Sequence, residues 1–495
     1  MIDNTKAMKI VEERKMKKVL SLISSCVMAI ALVGCSNGTS STKGVSGEFT
    51  GTAKGLGGDV TVTITLEDSK ITNVVAEGKD ETEGIGTKAL ESMPEAMKEA
   101  GSINVDTVAT ATVTSNAILE AAKAAIESAG LNPEDYMATS TSEPVAAEDV
   151  TKDCDVVVVG AGGAGMTAAI TASDAGKSVI IVESQGVAGG NSVRSTGGMN
   201  AAKTVYQDEN EFGEEAGVEK TLKAAEAYTG ENEDFVKELT ETVKTQWAEY
   251  QANPTGYFDS VELFELDTMI GGKGINDPEL VKTLVENSAD AIDWLESIGA
   301  TLHNVGQFGG AAVKRIHRPV NDEGKTLAVG SYVVPILEKN VEDRGVEVMF
   351  NTTANKILTD DNGAACGIVA EGKNGETVTI NAKAVILASG GFGANNEMVA
   401  EQNPQLDGYI TTNAPGILGQ GIKMAQEIGA GTVDMNQIQL HPTVHVAEDG
   451  SANLITEGLR GDGAILVNKE GKRFFDEVST RDKVSAAENE QTDGM

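Results

Sequence analysis

Two runs near the N-terminal third alternate apolar and polar positions. Thr61 to Leu66 and Ile71 to Ala76 each place every second residue on one face, which predicts two strands around a turn at Glu67-Asp68. Ala89 to Ala100 and Asn116 to Ser128 change to helical spacing, the second with Ile118, Leu119, Ala122 and Ile126 on one stripe. Together these predict a small α+β domain over residues 47–130. Residues 131–151 break both periods with Pro, Ser, Thr and acids, and read as an interdomain linker. Beyond Asp153 the pattern changes kind. Cys154 to Val159 is a compact apolar run suited to a parallel strand buried on both faces. An Ala-rich helix over Met166 to Ala175 and a strand over Val179 to Val182 come next, and Ala384 to Leu387 is a later strand of the same kind. The fold class expected is therefore α/β, a doubly wound domain over 152–430 preceded by the small α+β domain.

The apolar run Val19 to Val33 does not fit this scheme. It is shorter than the roughly 20 residues that span a bilayer, and Lys17 and Lys18 precede it. It closes on Leu32-Val33-Gly34-Cys35, which resembles a bacterial lipoprotein signal whose cysteine is acylated. That resemblance implies a signal over residues 1–35, an upstream extension before Met16, lipid on Cys35 and a polar tether over 36–46. The expected location is the extracytoplasmic face of the cell membrane, held through the lipid. Cys154 and Cys366 sit in strand-like apolar runs and are expected to be buried small hydrophobes. There is no Cys-x-x-Cys-His for covalent haem.

Charge removes one class of partner. The 495-residue chain carries a net charge of −36, with a pI near 4.4. Such a surface repels phosphate backbones, so nucleic acid is not an expected partner. No metal site is expected either.

The strand ending at Val159 feeds into Gly160-Ala161-Gly162-Gly163-Ala164-Gly165 and then the Ala-rich helix, with Glu183 closing the next strand. Gly160 permits the tight turn, Gly162 lets backbone approach a pyrophosphate, and Gly165 lets helix pack closely on strand. The helix N-terminus offers N–H groups to phosphate, and Glu183 is placed for ribose hydroxyls. These glycines alone would also suit a nicotinamide enzyme. Later segments of the chain add Gly189-Gly190-Asn191-Ser192, Gly197-Gly198 and, after the strand at 384–387, Gly390-Gly391. This set resembles the FAD-binding domain of the fumarate reductase/succinate dehydrogenase flavoprotein family.

The chain next reaches Gln439-Leu440-His441-Pro442-Thr443, Thr456-Glu457-Gly458-Leu459-Arg460-Gly461 and Thr480-Arg481-Asp482. By spacing alone, Glu457 and Arg460 would form an ordinary salt bridge, and Arg481 with Asp482 a surface pair. As an ordered set they closely resemble the soluble, flavocytochrome-type fumarate reductases, from Asp153 to about Ala487. The resemblance implies that His441 contacts a substrate carboxylate, that Thr456 contacts the substrate, that Glu457 and Arg460 form a proton path, and that Arg481 is the proton donor. Arginine is an unusual acid because its pKa exceeds about 12, so a relay must reprotonate it. The activity implied is reduction of the C=C bond of a small carboxylic acid, most simply fumarate to succinate.

Residues 47–130 resemble the small FMN-binding domain of extracellular flavin reductases, in which a flavin transferase links FMN to a threonine. Here the stretch runs from Asp106 through Ala109-Thr110-Ala111-Thr112, so Thr112 is the implied attachment site, although Ala109-Thr110 replaces the family's Ser-Gly. Thr114 and Ser115 are expected to cap the helix from Asn116. With no haem, FMN is the implied electron entry, fed by a membrane-associated donor.

Residues 431–495 are expected to form part of a capping domain, left incomplete because the family's second substrate histidine and its returning glycine-rich segment do not appear. A truncated gene model is the expectation. Reduction of urocanate, methacrylate or a cinnamate-like acid, an amino-acid oxidase activity, a non-catalytic electron-shuttling flavolipoprotein and an inactive fragment remain open readings.

Overall fold

The alternation at residues 61–76 belongs to a three-stranded antiparallel meander of β1 (Gly47–Lys54), β2 (Asp59–Glu67) and β3 (Lys70–Glu77). The computed structural model describes residues 44–81, 86–105, 107–108, 111–137, 148–307, 311–446, 452–461, 463–477 and 479–491. Cys35 and the apolar run before it lie outside these residues, as do Asp106, Ala109 and Thr110. Val60, Val62, Ile64 and Leu66 on alternate positions of β2 are buried against Met93 and Met97 of α1 (Gly86–Ala100) and Ile118 and Ile126 of α2 (Thr112–Ser128).

Helix α2 starts four residues earlier than the periodicity suggested, and Thr114 and Ser115 are not its cap. Ala111 holds the cap position and makes no side-chain capping bond. The two hydroxyls serve tertiary contacts instead. Thr114 Oγ1 donates to the buried carboxylate of Glu81, and Ser115 Oγ accepts from Val108 N at 3.0 Å.

The expected linker also ends early, because β4 (Val150–Val159) begins pairing with a distant strand at Val150. From β4 the chain passes through α3 (Gly163–Asp174) and β5 (Val179–Val182), then leaves the sheet. It makes β6 (Met199–Asn200), two four-residue helical turns and five longer helices: α4 (Glu215–Glu226), α5 (Glu233–Ala252), α6 (Val261–Gly271), α7 (Pro278–Glu286) and α8 (Ser288–Ser297). It continues through β7 (Asn304–Gly306), β8 (Ile316–Arg318) and α9 (Val329–Asp343) to β9 (Glu347–Met349), β10 (Thr353–Thr359), β11 (Ala365–Glu371), β12 (Thr377–Leu387) and α10 (Gln420–Glu427).

The main sheet has the order β10-β11-β12-β4-β5-β9, and its part β12-β4-β5-β9 is parallel. Successive residues of β4 point to opposite faces. Val158 is buried with Ile170 of α3 and Leu337 of α9, whereas Val157 and Val159 are buried with Ile357, Ile368 and Met424 on the other side. Both faces are covered, the doubly wound arrangement that near-continuous apolar strands require. Chain order runs outward from β4 through β5 to β9, then returns to β12 on the opposite side. The direction of winding thus reverses between β4 and β12, where α/β sheets bind ligands at the carboxyl ends of strands.

The helices α4 to α7 bury their own core of Val218, Val236, Val243, Trp247 and Leu263, distinct from the sheet. Within it Arg315, 2% exposed, pairs with Asp259 at 2.6 Å and Asp267 at 2.8 Å. Cys154 and Cys366 are free but only half-buried, a correction to the expectation that both would lie within the core. Lys88 of α1 pairs with Glu338 of α9, tying the meander module to the sheet body. Among the described residues no helix is long and apolar enough to cross a membrane.

Candidate active site

At the winding reversal, the carboxyl ends of β4 and β12 open onto a cavity of about 400 Å³. Gly160 takes φ +106° there, and a Cβ on it would stand 2.5 Å from Ala388 O. A Cβ on Gly165 would meet Gly160 O at 1.9 Å, so α3 sits as close to the turn as a glycine allows. Gly162 differs. A Cβ there would meet nothing nearer than Ser192 Oγ at 3.7 Å, and would project into open cradle. Ala164, in the first turn of α3, lines the same cavity alongside N–H groups that helix geometry leaves without intrahelical acceptors. Ser192 Oγ takes one of them, accepting from Gly163 N at 3.0 Å.

Glu183 lines the cavity from the end of β5 and is 9% exposed. Its carboxylate accepts from Ala161 N at 2.8 Å and Gln185 N at 2.9 Å, which fixes it while leaving lone pairs for a ribose. Gly189, Gly190, Asn191 and Gly390 also line the cavity. Gly197, Gly198 and Gly391 do not. Gly198 has a packing reason of its own, because a Cβ on it would stand 2.4 Å from His317 O. The cradle, the helix terminus and the acid fit a dinucleotide with a pyrophosphate at α3.

A second group gathers near the C-terminal end of the described chain, around the hairpin β13 (Val444–Val446) and β14 (Ala452–Leu454). His441, Glu457 and Arg460 come from loops and a short turn flanking it, and Arg481 opens α11 (Arg481–Asn489). Glu457 is the hub. Arg481 Nε donates to Glu457 Oε1, His441 Nε2 lies 3.1 Å from that oxygen, and Arg460 Nη2 lies 3.8 Å from it. The His441 approach is close enough for attraction yet not aligned as a hydrogen bond. Burial acts to raise the Glu457 carboxyl, but His441 and Arg481 outweigh it and hold it at about 2. Thr456 precedes Glu457 and is half-buried.

Three features of this group are invisible in the sequence motifs. Arg481 Nη1 donates to Gln439 Oε1 at 2.7 Å, and Arg460 Nη1 donates to Glu477 O at 3.0 Å. Glu488, on α11, is buried, and burial pushes its carboxyl up to about 7 despite Arg460 and His441 nearby. The spacing-only reading of Arg481 with Asp482 does not hold. Arg481 turns inward to Glu457, while Asp482 faces Lys273 at 3.9 Å.

One loop touches both the cavity and α11. Asn413 Oδ1 accepts from Asn191 Nδ2 at 2.6 Å beside the cavity, and Tyr409 OH donates to Asn489 Oδ1 of α11 at 3.2 Å. In the small module, Thr112 is the first residue of α2; its side chain lies outside what the structure describes.

Comparison with known proteins follows the same division. Residues 155–258 and 247–494 match an FAD binding domain, and residues 55–127 match an FMN-binding domain. The chain belongs to the fumarate reductase/succinate dehydrogenase flavoprotein family. It is 42% identical over 338 residues to a fumarate reductase (cytochrome) of Shewanella frigidimarina, covering 68% of this chain and 50% of that protein. It is 34% identical to a urocanate reductase of Eggerthella lenta, covering 94% and 70%. The open conformation of a flavocytochrome c3 fumarate reductase superposes with a TM-score of 0.53 at 36% identity, covering 69% and 52%. The chain spans about half the length of the fumarate reductases it matches. It therefore carries an FMN-binding domain followed by an FAD-binding domain of this flavoprotein fold.

Proposed function

We propose that this chain is the flavin-bearing part of a reductase that saturates the C=C bond of a small carboxylic acid, fumarate before others. The observation that carries the reading is the convergence of His441, Arg460 and Arg481 on the single carboxylate of Glu457. Two arginines and a histidine around one acid gather positive groups for an anionic substrate in a chain of net charge −36. Bound and reduced FAD would supply the hydride chemistry for one carbon of the double bond. Gly160, Gly162, Gly165 and Glu183 would hold its dinucleotide portion. His441 and Thr456 would grip the substrate carboxylate and orient the double bond. Arg481 would give a proton to the neighbouring carbon, and Glu457 with Arg460 would return one to it. The fixed bonds from Arg481 to Glu457 and Gln439 suit this role, because they hold the guanidinium in one orientation.

In this reading Thr112 would be the residue to which a flavin transferase joins FMN, and the bound FMN would supply the electron entry from a membrane-associated donor. Cys35 carries the lipid that keeps the chain at the extracytoplasmic face of the membrane. Domains divide near residues 47, 130, 150 and 431, with the last segment contributing to a capping domain.

Urocanate is the second reading, favoured by the length over which the Eggerthella relative aligns. A panel of fumarate, urocanate, acrylate, methacrylate and cinnamate, offered with a reduced viologen dye, separates the two. Turnover of fumarate supports the first reading. Turnover of another acid with fumarate inert overturns it, and inertness toward all of them favours an electron shuttle.

A further inference from the structure

The inner face of α11 carries polar groups that the proposed machinery does not use. Arg481, Val484, Ser485 and Glu488 succeed one another at helical spacing on one face, and Ser485 and Glu488 are 6% and 7% exposed. Ser485 Oγ and Glu488 Oε1 have no hydrogen-bond partner among the described residues. The same is true of Arg460 Nε, on a side chain 6% exposed. An unpaired buried polar atom is costly when dry, so native proteins hold few of them. Three such atoms near one proton-handling cluster are groups that ordered water would satisfy. Arg460, from the turn Gly458–Gly461, and His441, from the loop before β13, are the charged or titratable groups that act on Glu488. Were Glu488 simply the ion-pair partner of Arg460, its carboxylate would be stabilised. Instead burial outweighs both neighbours and favours the protonated acid.

We propose that Glu488 is a proton store for Arg481. It acts through the Glu457–Arg460 pair and buried water, without touching the substrate. After Arg481 has lost its proton to carbon, the carboxyl of Glu488 gives one up, the array passes it on, and the neutral guanidine becomes guanidinium again. The Glu488 carboxylate then takes a proton from solvent, and no electrons move. This inference rests on the reductase reading.

The test uses the full chain loaded with its flavins, the Glu488→Gln and Glu488→Asp variants, and two readouts. Infrared titration in D2O, without substrate, is expected to show a protonated buried carboxyl lost with a midpoint near pH about 7, and absent in Glu488→Gln. The kcat of the parent for its enoate is expected to fall above that midpoint. Glu488→Gln is expected to be slower by about tenfold below it and flat across it, with Glu488→Asp restoring a shifted profile. Should Glu488→Gln not fold, the Asp variant carries the test: its infrared midpoint and its kcat profile must move together. The inference is overturned if the parent shows no such band, or if the variants keep the parent's pH profile while fumarate or another enoate still turns over. Inertness of the parent toward every enoate overturns the reductase reading itself, and this inference with it.

Discussion

Arg481 and Glu457 are joined through guanidinium Nε and carboxylate Oε1, and that one oxygen also lies 3.1 Å from His441 Nε2. The hub is thus a single atom, and Glu457→Gln changes it with almost no change of shape. In the proposed reductase this variant is expected to lose about 100-fold or more in kcat with flavin content unchanged. Stopped-flow reoxidation of the reduced enzyme by the enoate checks this.

The same substitution has a pH signature in stability. The Glu457 carboxyl is held at about 2 in the folded protein against an ordinary 4.5, so the folded state favours the carboxylate. That contribution is fully present above pH 4.5 and is lost as pH falls toward 2. Urea unfolding should find Glu457→Gln less stable than the parent at neutral pH, with the difference shrinking between those values.

Glu488 carries the opposite sign. Its folded carboxyl is raised to about 7 from 4.5, so the folded state holds the proton more tightly than the unfolded chain does. Stability should decline as pH rises from 4.5 to about 7, and Glu488→Gln should remove that decline. Unfolding midpoints measured at either end of that window suffice, and equal slopes in parent and variant would count against the shift.

Alanine separates the roles of two glycines in the phosphate turn. Gly165→Ala puts a Cβ 1.9 Å from Gly160 O, a clash with backbone, and should destabilise even the flavin-free chain by at least about 1–3 kcal/mol. Gly162→Ala meets nothing closer than 3.7 Å and should leave the flavin-free Tm unchanged while lowering FAD retention. Thermal melts with and without added FAD give both numbers.

In the small module, Thr112→Ala should abolish flavin fluorescence that survives denaturation. Thr114→Val should keep that fluorescence but cost about 1–3 kcal/mol, because it strips the buried Glu81 of a donor.

The unit from β4 to Glu183 was legible in the sequence because everything it needs is local: an apolar strand, glycines at fixed offsets, and an acid at the end of the next strand. The return of β12 beside β4 was legible only through its glycine-rich ending, since no periodicity announces which strands become neighbours. The helical core of residues 215–286 is hidden for another reason. Val236, Val243 and Trp247 are spaced as in any amphipathic helix and carry no chemistry. At the candidate active site, His441, Glu457, Arg460 and Arg481 could be named from ordered motifs, but the convergence of the other three on Glu457 could not. Gln439 reaches Arg481 from 42 residues away, and the burial of Glu488 exists only once α11 docks. Thr114 and Ser115 mislead because a hydroxyl near a helix start suits a cap and a tertiary bond equally well.

The loop that reaches Asn191 through Asn413 and α11 through Tyr409 has a meaning for redesign. Whoever alters the pocket to admit a bulkier acid will be tempted to trim this loop, since Tyr409 and Ile410 on it are exposed. It is a shared fastener. Shortening it on behalf of the substrate would also loosen the wall of the flavin cradle, so selectivity and cofactor loading must be engineered as one variable.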